Sequence, residues 1–97
     1  MALEISWTPR ATRDLANLLE YLSFEWSQAV VSAFILELEF QIDLIRSFPE
    51  LGVASRRNPL IRKILVSKHN ALYYMVDGTH ILILNIFDTR RSDYEKF

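Results

Sequence analysis

The side chains able to move protons or hold phosphates are few and scattered. His69 and His80 are the two imidazoles of the chain, and histidine titrates near neutral pH, so either could serve as a general base. Neither can be paired from its spacing with a carboxylate or a second histidine, which leaves an exposed turn residue as the plainer role for each. Two separated histidines without any cysteine make no recognisable ligand set, so neither a metal nor another cofactor is expected. The missing cysteines also remove disulfides and thiol nucleophiles, and they fit a reducing cytoplasm. Cations are more plentiful: Arg56, Arg57, Arg62, Lys63 and Lys68 cluster in sequence, and Arg90 and Arg91 can join them in space. As a functional patch they would meet DNA, RNA or an acidic partner. As a structural one they would guard a strand edge with solvated charge.

Charge balance weighs on that choice. The formal net charge is −1, whereas proteins that live on ribosomes or DNA usually carry a positive excess that releases counterions from phosphates. A local basic patch can still bind an anion, so nucleic acid is disfavoured without being removed. At 97 residues the chain suits a single domain, residues 1–97, with one core. It is 51% hydrophobic with 2 Gly and 3 Pro, the composition of a packed protein rather than a disordered tail. Its longest apolar runs, such as Ile81–Leu84, are too short to cross a bilayer, and Met1–Arg10 lacks the pattern of a secretory signal.

The elements that must position these groups follow from periodicity. Ala2–Trp7 alternates like a strand and stops at Thr8-Pro9, where Thr8 suits a helix N-cap and Pro9 the first helical position. Ala11, Leu15, Leu18, Leu19, Leu22 and Trp26 then follow helical spacing and predict an amphipathic helix from Pro9 to about Trp26. Ser27 caps a second helix running to about Ser47, ended by Phe48-Pro49 and Gly52. So short a connection forces an antiparallel helix hairpin. The second helix carries two apolar stripes: Val31, Ile35, Leu38, Ile42 and Ile45 on one side, and Ala33, Leu36, Phe40 and Leu44 nearly opposite. Either the sheet and first helix bury both, or a partner covers one.

After a polar connection from Pro49 to Pro59, the runs Leu60–Lys68, Ala71–Val76 and His80–Phe87 predict a three-stranded antiparallel meander. Asp77-Gly78 is a strong two-residue hairpin signal and His69-Asn70 a weaker one. With those loops Val76 faces Thr79, Tyr74 faces Ile81, Leu65 faces Tyr74 and Val66 faces Tyr73. One sheet face then carries Ile61, Leu65, Leu72, Tyr74, Val76, Ile81, Ile83 and Phe87 and suits packing on the helices. The other carries Arg62, Ile64, Val66, Lys68, Ala71, Tyr73, Met75, His80, Leu82, Leu84, Ile86 and Asp88, a mixed surface that reads as a binding face. In an alternative arrangement the C-terminal tail Asp88–Phe97 folds across it. The expected architecture is therefore α+β: an N-terminal strand and antiparallel helix hairpin packed on a small antiparallel sheet, followed by a tail.

In order and spacing, Thr8-Pro9-x-Ala11-x-x-Asp14-Leu15-x-x-Leu18-x-x-Tyr21, Phe48-Pro49-x-x-Gly52, Ile61-Arg62, Leu72-Tyr73-Tyr74-x-Val76-Asp77 and Phe87-Asp88-x-Arg90-Arg91 resemble the RelE/ParE toxin superfamily along nearly the whole chain. The resemblance implies a cytoplasmic, growth-inhibiting toxin of a plasmid-stabilising type, neutralised by a cognate antitoxin in a hetero-oligomer. Ribonuclease members of the superfamily cut mRNA on the ribosome with Lys, Arg, Tyr, Glu or His residues on the open sheet face. ParE-like members lack that group and poison DNA gyrase.

RNA cleavage through the 2′-hydroxyl needs a base, an acid and cations for the developing phosphorane charge. On the resemblance, Arg62 and Arg90 fall on basic positions of the ribonucleases, Tyr94 stands in for a C-terminal tyrosine at shorter spacing, and His80 is a further candidate. Ile64 and Ala71 occupy positions where those enzymes place a lysine and an arginine, and neither side chain can hold a phosphate or move a proton. The preferred expectation is a ParE-like gyrase inhibitor without catalytic residues of its own. The alternatives are a ribosome-dependent endoribonuclease using Arg62, Arg90, Tyr94 and His80, and a non-toxic or degenerate binding module. Residues expected to meet a target or antitoxin are Arg62, Lys68, Tyr73, Arg90, Arg91, Leu36, Phe40 and Leu44.

Overall fold

Thr8 sets the geometry of the N-terminal half. In the computed structural model, which describes residues 3–91, its hydroxyl accepts the Ala11 N–H at 3.0 Å and donates to the Leu84 carbonyl at 2.8 Å. The same side chain therefore caps helix α1 (Pro9–Glu25) and fastens its start to the sheet. Strand β1 (Glu4–Trp7) precedes it and lies parallel to the last strand, with Glu4 opposite His80 and Trp7 opposite Ile83. Ser27 caps α2 (Gln28–Ser47) through the Val30 N–H, so both helix starts fall where the sequence places them.

Four further strands follow: β2 (Val53–Ala54), β3 (Ile61–Ser67), β4 (Asn70–Asp77) and β5 (His80–Asp88). They form with β1 a mixed five-stranded sheet in the order β1-β5-β4-β3-β2. The α+β expectation of a strand and helix hairpin on a small sheet holds, with two differences. The N-terminal strand pairs in parallel, which the long crossover through both helices permits. A two-residue strand, β2, lies inside the segment expected to be a polar connection, and it caps the first half of β3.

Register is where the expectation fails. Both hairpins have two-residue loops, but the loops are Lys68-His69 and Gly78-Thr79, with Gly78 at φ 60° as primed turns require. Asp77 therefore faces His80, and Tyr74 faces Ile83. Each hairpin also contains a bulge: Val66 has no residue opposite it on β4, and Leu84 has none on the same strand. A bulge adds one residue and inverts the facing of everything beyond it. Ile64, Val66 and Ile86 accordingly join Leu72, Tyr74, Ile81 and Ile83 under the helices, while Ile61 and Phe87 turn to the opposite side.

The core lies between the sheet and the buried stripe of α2, where Phe34, Leu38 and Ile45 pack with Ala11 of α1. Ile35 and Val31 are half-buried on the same side, whereas Leu36 and Phe40 remain 67% and 57% exposed. The domain thus covers one stripe of α2 and leaves the heart of the other bare. The sheet face away from the helices is not an open mixed surface. Ile61, Tyr73 and Phe87 form a second, small core with Leu84, and the Tyr73 and Phe87 rings meet edge to face at 5.8 Å. The guanidinium groups of Arg10 and Arg91 stand 5.2 Å and 5.9 Å from the Phe87 ring centroid. Tail residues 92–97 lie outside the described residues, and Tyr94 among them.

Candidate functional site

A groove of about 700 Å³ lies between the far half of α1 and the ends of β3, β4 and β5. Its helical wall carries Asn17, Leu18 and Tyr21, continued by Trp26 at the hairpin tip, and its opposite wall carries Lys68, His69, Arg90 and Arg91. The second wall is built by turns. Asn70 donates to the Ser67 hydroxyl at 2.7 Å across the β3–β4 loop, and Thr89 N–H reaches the His69 carbonyl at 2.8 Å. At the end of β5 the Asp88 carboxylate accepts the Arg90 N–H at 2.9 Å, an aspartate turn that fixes where the two arginines leave the sheet.

Arg90 is spoken for within the chain. Its Nη2 and Nε donate to the two oxygens of Asp88 at 2.8 Å and 3.0 Å, a bidentate pair. These bonds, with the Arg90 N–H and the nearby His69, hold the Asp88 carboxyl at about 2, well below its usual range. Asp14 is likewise engaged: Oδ2 accepts the Ile86 N–H at 3.1 Å and stands 3.9 Å from Arg10. This carboxylate takes up a β5 edge group that β1 is too short to reach.

Arg62 lies elsewhere. It sits beside Tyr74 on the helix side of β3, and its Nη1 donates to the carbonyls of Gly52 at 2.8 Å and Glu50 at 3.2 Å. The Tyr74 hydroxyl completes this clamp by donating to the Pro49 carbonyl at 2.7 Å and accepting the Gly52 N–H at 2.9 Å. Burial pushes the Tyr74 phenol up, partly offset by the Gly52 bond and the Arg62 charge. The sequence places Arg62 on the mixed face; the Val66 bulge moves it to the other one, where it serves the 49–52 loop.

His80 is also remote. Its Nε2 lies 2.9 Å from Glu4 Oε2, the carboxylate partner that spacing does not reveal, and β5 separates it from the groove. Eight strand steps of about 3.3 Å put roughly 26 Å between His80 and Asp88. Arg56 and Arg57 precede β3 at that same distant end, so the basic cluster divides, with Lys68, Arg90 and Arg91 gathered at the groove. Tyr73 faces away from the helices as expected but is only 2% exposed. Leu36 and Phe40 mark the outer side of α2, with Leu44 half-buried.

Sequence reasoning placed Trp26 on the apolar stripe of the first helix and passed over Phe24, but Trp26 falls at the C-cap, beyond the last helical residue, and stands in the open. Phe24 is 86% and Trp26 66% exposed, beside the half-exposed Tyr21. A signal was available: Tyr21 and Phe24 fall off the apolar stripe of α1, and large aromatics on the polar side of an amphipathic helix mark a contact surface. The sequence sets Asn85, with Lys63 and Ser67, as a polar exception on the face that packs on the helices; the Leu84 bulge turns it to the other face beside Tyr73, where it is buried with neither side-chain polar atom bonded among the described residues. Among the described residues no cluster of His, Cys, Asp or Glu could hold a metal ion, and no helix is long and apolar enough to cross a membrane.

Comparison with known proteins agrees with this architecture. The fold is similar to that of the chromosomal ParDE toxin–antitoxin system from P. aeruginosa, with a TM-score of 0.75 at 16% identity over 92% of this chain and 98% of that one. It also resembles the YoeB dimer from Staphylococcus aureus, with a TM-score of 0.63, 17% identity, and 90% and 97% of the two chains covered. The toxin–antitoxin complex RelBE2 from Mycobacterium tuberculosis gives 0.62 at 20% identity over 91% and 99%. No curated protein matches the sequence. The family model described as ParE toxin of the type II toxin–antitoxin system parDE matches residues 5–93. With that match spanning nearly the whole chain and the helix hairpin, sheet order and closing arginine turn in place, the chain belongs to the ParE toxin family.

Proposed function

We propose that this chain is a cytoplasmic toxin that acts by binding DNA gyrase, without catalytic residues of its own, and that a cognate antitoxin neutralises it. The carrying observation is the dispersal of the groups that RNA cleavage would need. A base, an acid and phosphate-binding cations must converge within hydrogen-bond reach of one phosphodiester. Here Arg62 is bonded to loop carbonyls, Arg90 is bonded to Asp88, and His80 stands with Glu4 roughly 26 Å of strand away from the groove. Ile64 is buried under the helices and Ala71 is buried as well, so neither position offers a functional group. Family membership supports the gyrase branch, and the resemblance to a ParDE system and to a RelBE2 complex supports an antitoxin partner. The bare stripe at Leu36 and Phe40 offers that antitoxin an apolar surface.

Induced expression tests the proposal. Plasmid DNA from induced cells should lose negative supercoiling while mRNA stays intact, and the purified chain should inhibit gyrase supercoiling of relaxed plasmid. Cut mRNA with normal supercoiling would replace this reading by the ribonuclease, and a soluble, antitoxin-free chain without any growth effect would replace it by a non-toxic binding module.

A further inference from the structure

Helix α2 carries one apolar stripe that the domain does not use. Ala29, Ala33, Leu36 and Phe40 are exposed and follow one another at steps of four, three and four residues, which sets them in a single line along the helix. At 1.5 Å per residue the line runs about 16 Å, roughly three turns. Its two alanines let another backbone come close, and Leu36 and Phe40 stand out into solvent. Steps of four and three make the seam of a two-helix coiled coil, in which each large residue enters a hole on the facing helix. The residues beside such a seam choose the partner. Here they are Glu37 on one side and Glu39 on the other, both exposed. Glu37 accepts the neutral Gln41 amide at 3.2 Å, which leaves its charge in place. The one cation of α2, Arg46, stands 3.6 Å from Asp43.

We infer that this stripe is half of a two-helix seam, and that its occupant is a basic amphipathic helix of the antitoxin, with apolar residues along the seam and Lys or Arg on both flanks. The inference rests on the proposal that an antitoxin neutralises this chain, and it adds the chemistry of the segment that covers α2. Cations on the incoming helix meet Glu37 and Glu39 as its apolar residues close around Leu36 and Phe40. A second copy of this chain fits badly. Two such seams gather the Glu37 and Glu39 carboxylates of both copies around one interface, with only Arg46, held by Asp43, to offset them on each helix. An acidic helix meets the same repulsion, and so does an anionic lipid surface.

The test uses the intact chain and two labelled synthetic peptides of three heptads, both with Leu at the seam positions, one with Lys and the other with Glu on the flanks. Fluorescence anisotropy reads binding. The Lys peptide should bind, shift the Leu36 methyl signals and leave the Trp26 indole N–H signal in place, and the Glu peptide should bind about tenfold more weakly. Phe40→Ala should weaken the Lys peptide about tenfold, the effect of losing one well-packed anchor. The double variant Glu37→Lys, Glu39→Lys should reverse the preference, gaining the Glu peptide and losing the Lys peptide. That exchange of specificity cannot arise from misfolding. No binding of the Lys peptide, equal binding of both, an unchanged preference in the double variant, or sedimentation of the chain alone as a dimer that Leu36→Asp dissolves would each overturn the inference. Gyrase supercoiling with the same preparation decides the proposed function separately. Inhibition without peptide binding leaves that proposal standing and removes this one, and peptide binding without inhibition does the reverse.

Discussion

The Tyr74 hydroxyl accepts the backbone N–H of Gly52 at 2.9 Å, joining the middle of the sheet to the loop that leaves α2. The same oxygen donates to the Pro49 carbonyl at 2.7 Å, so one side chain closes both ends of a tight turn. A Cβ at Gly52 would stand 2.7 Å from that oxygen and 2.9 Å from the Lys63 carbonyl. The close approach of the two chains is what requires glycine there.

Tyr74→Phe should therefore destabilise the domain by about 1–3 kcal/mol, because it strands a buried N–H and a carbonyl. Gly52→Ala should cost a similar amount, about 1–3 kcal/mol, through overpacking against backbone that has little room to move. Urea denaturation of both single variants and the double variant checks this. The pair should be non-additive by about 0.5 kcal/mol or more, since both act on one contact. Additive losses would mean that the clamp is not a unit.

Asn85→Leu should raise stability. The side chain of Asn85 is buried on the face away from the helices, and neither Oδ1 nor Nδ2 has a hydrogen-bond partner among the described residues. Leucine is close in volume and removes an unsatisfied amide whose desolvation costs about 1–3 kcal/mol. A gain on that order in the denaturation midpoint free energy is expected, with the fold unchanged by circular dichroism. A loss instead would show that the amide is hydrogen-bonded in the folded chain.

The Asp88 carboxyl should titrate at about 2 and return toward 3.8 in Arg90→Ala, read from its carboxyl carbon signal across the acid range. The sign of the stability effect follows from the depressed value. The pair contributes fully above the ordinary carboxylate value, and that contribution is lost as pH falls from there toward about 2. Because the pair is largely exposed, solvent screens it and the loss should be small. An unmoved Asp88 midpoint in the variant would assign the shift to the backbone N–H of position 90 and to His69 instead.

These sites show which parts of the molecule local patterning reveals. Thr8-Pro9 and Ser27 mark both helix starts because capping is a contact between near neighbours in sequence. The β4 residues Leu72 and Tyr74 and the β5 residues Ile81 and Ile83 face the helices as alternation predicts. The facing of Arg62, Ile64, Phe87 and Ile86 could not be read, since bulges at Val66 and Leu84 invert it and neither residue carries a local mark. Parallel pairing of Glu4–Trp7 with β5 is likewise a non-local choice, set by where the helices return the chain. The site suffered most. Of its expected cations, Lys68, Arg90 and Arg91 converge because they flank two turns that meet at one end of the sheet, while Arg62 and His80 are separated by register and strand length.

That separation yields a functional contrast between two variants. Arg90 and Arg91 are exposed at the groove, so replacing both with alanine should change stability by no more than about 0.5 kcal/mol, the usual range for surface sites. Growth inhibition or antitoxin affinity should nevertheless fall, because the groove wall that carries Lys68, Arg90 and Arg91 loses two of its three cations and the Asp88 turn loses its arginine pair. His80→Ala removes the ion pair with Glu4 at the far end of the sheet and should leave growth inhibition unchanged. Colony counts after induction, with thermal melts of each purified variant, separate the possibilities. A marked loss of stability in the arginine variant would make the pair structural. Loss of toxicity in a well-folded His80→Ala chain would restore an imidazole to the chemistry and undo the proposal that this toxin works by binding alone.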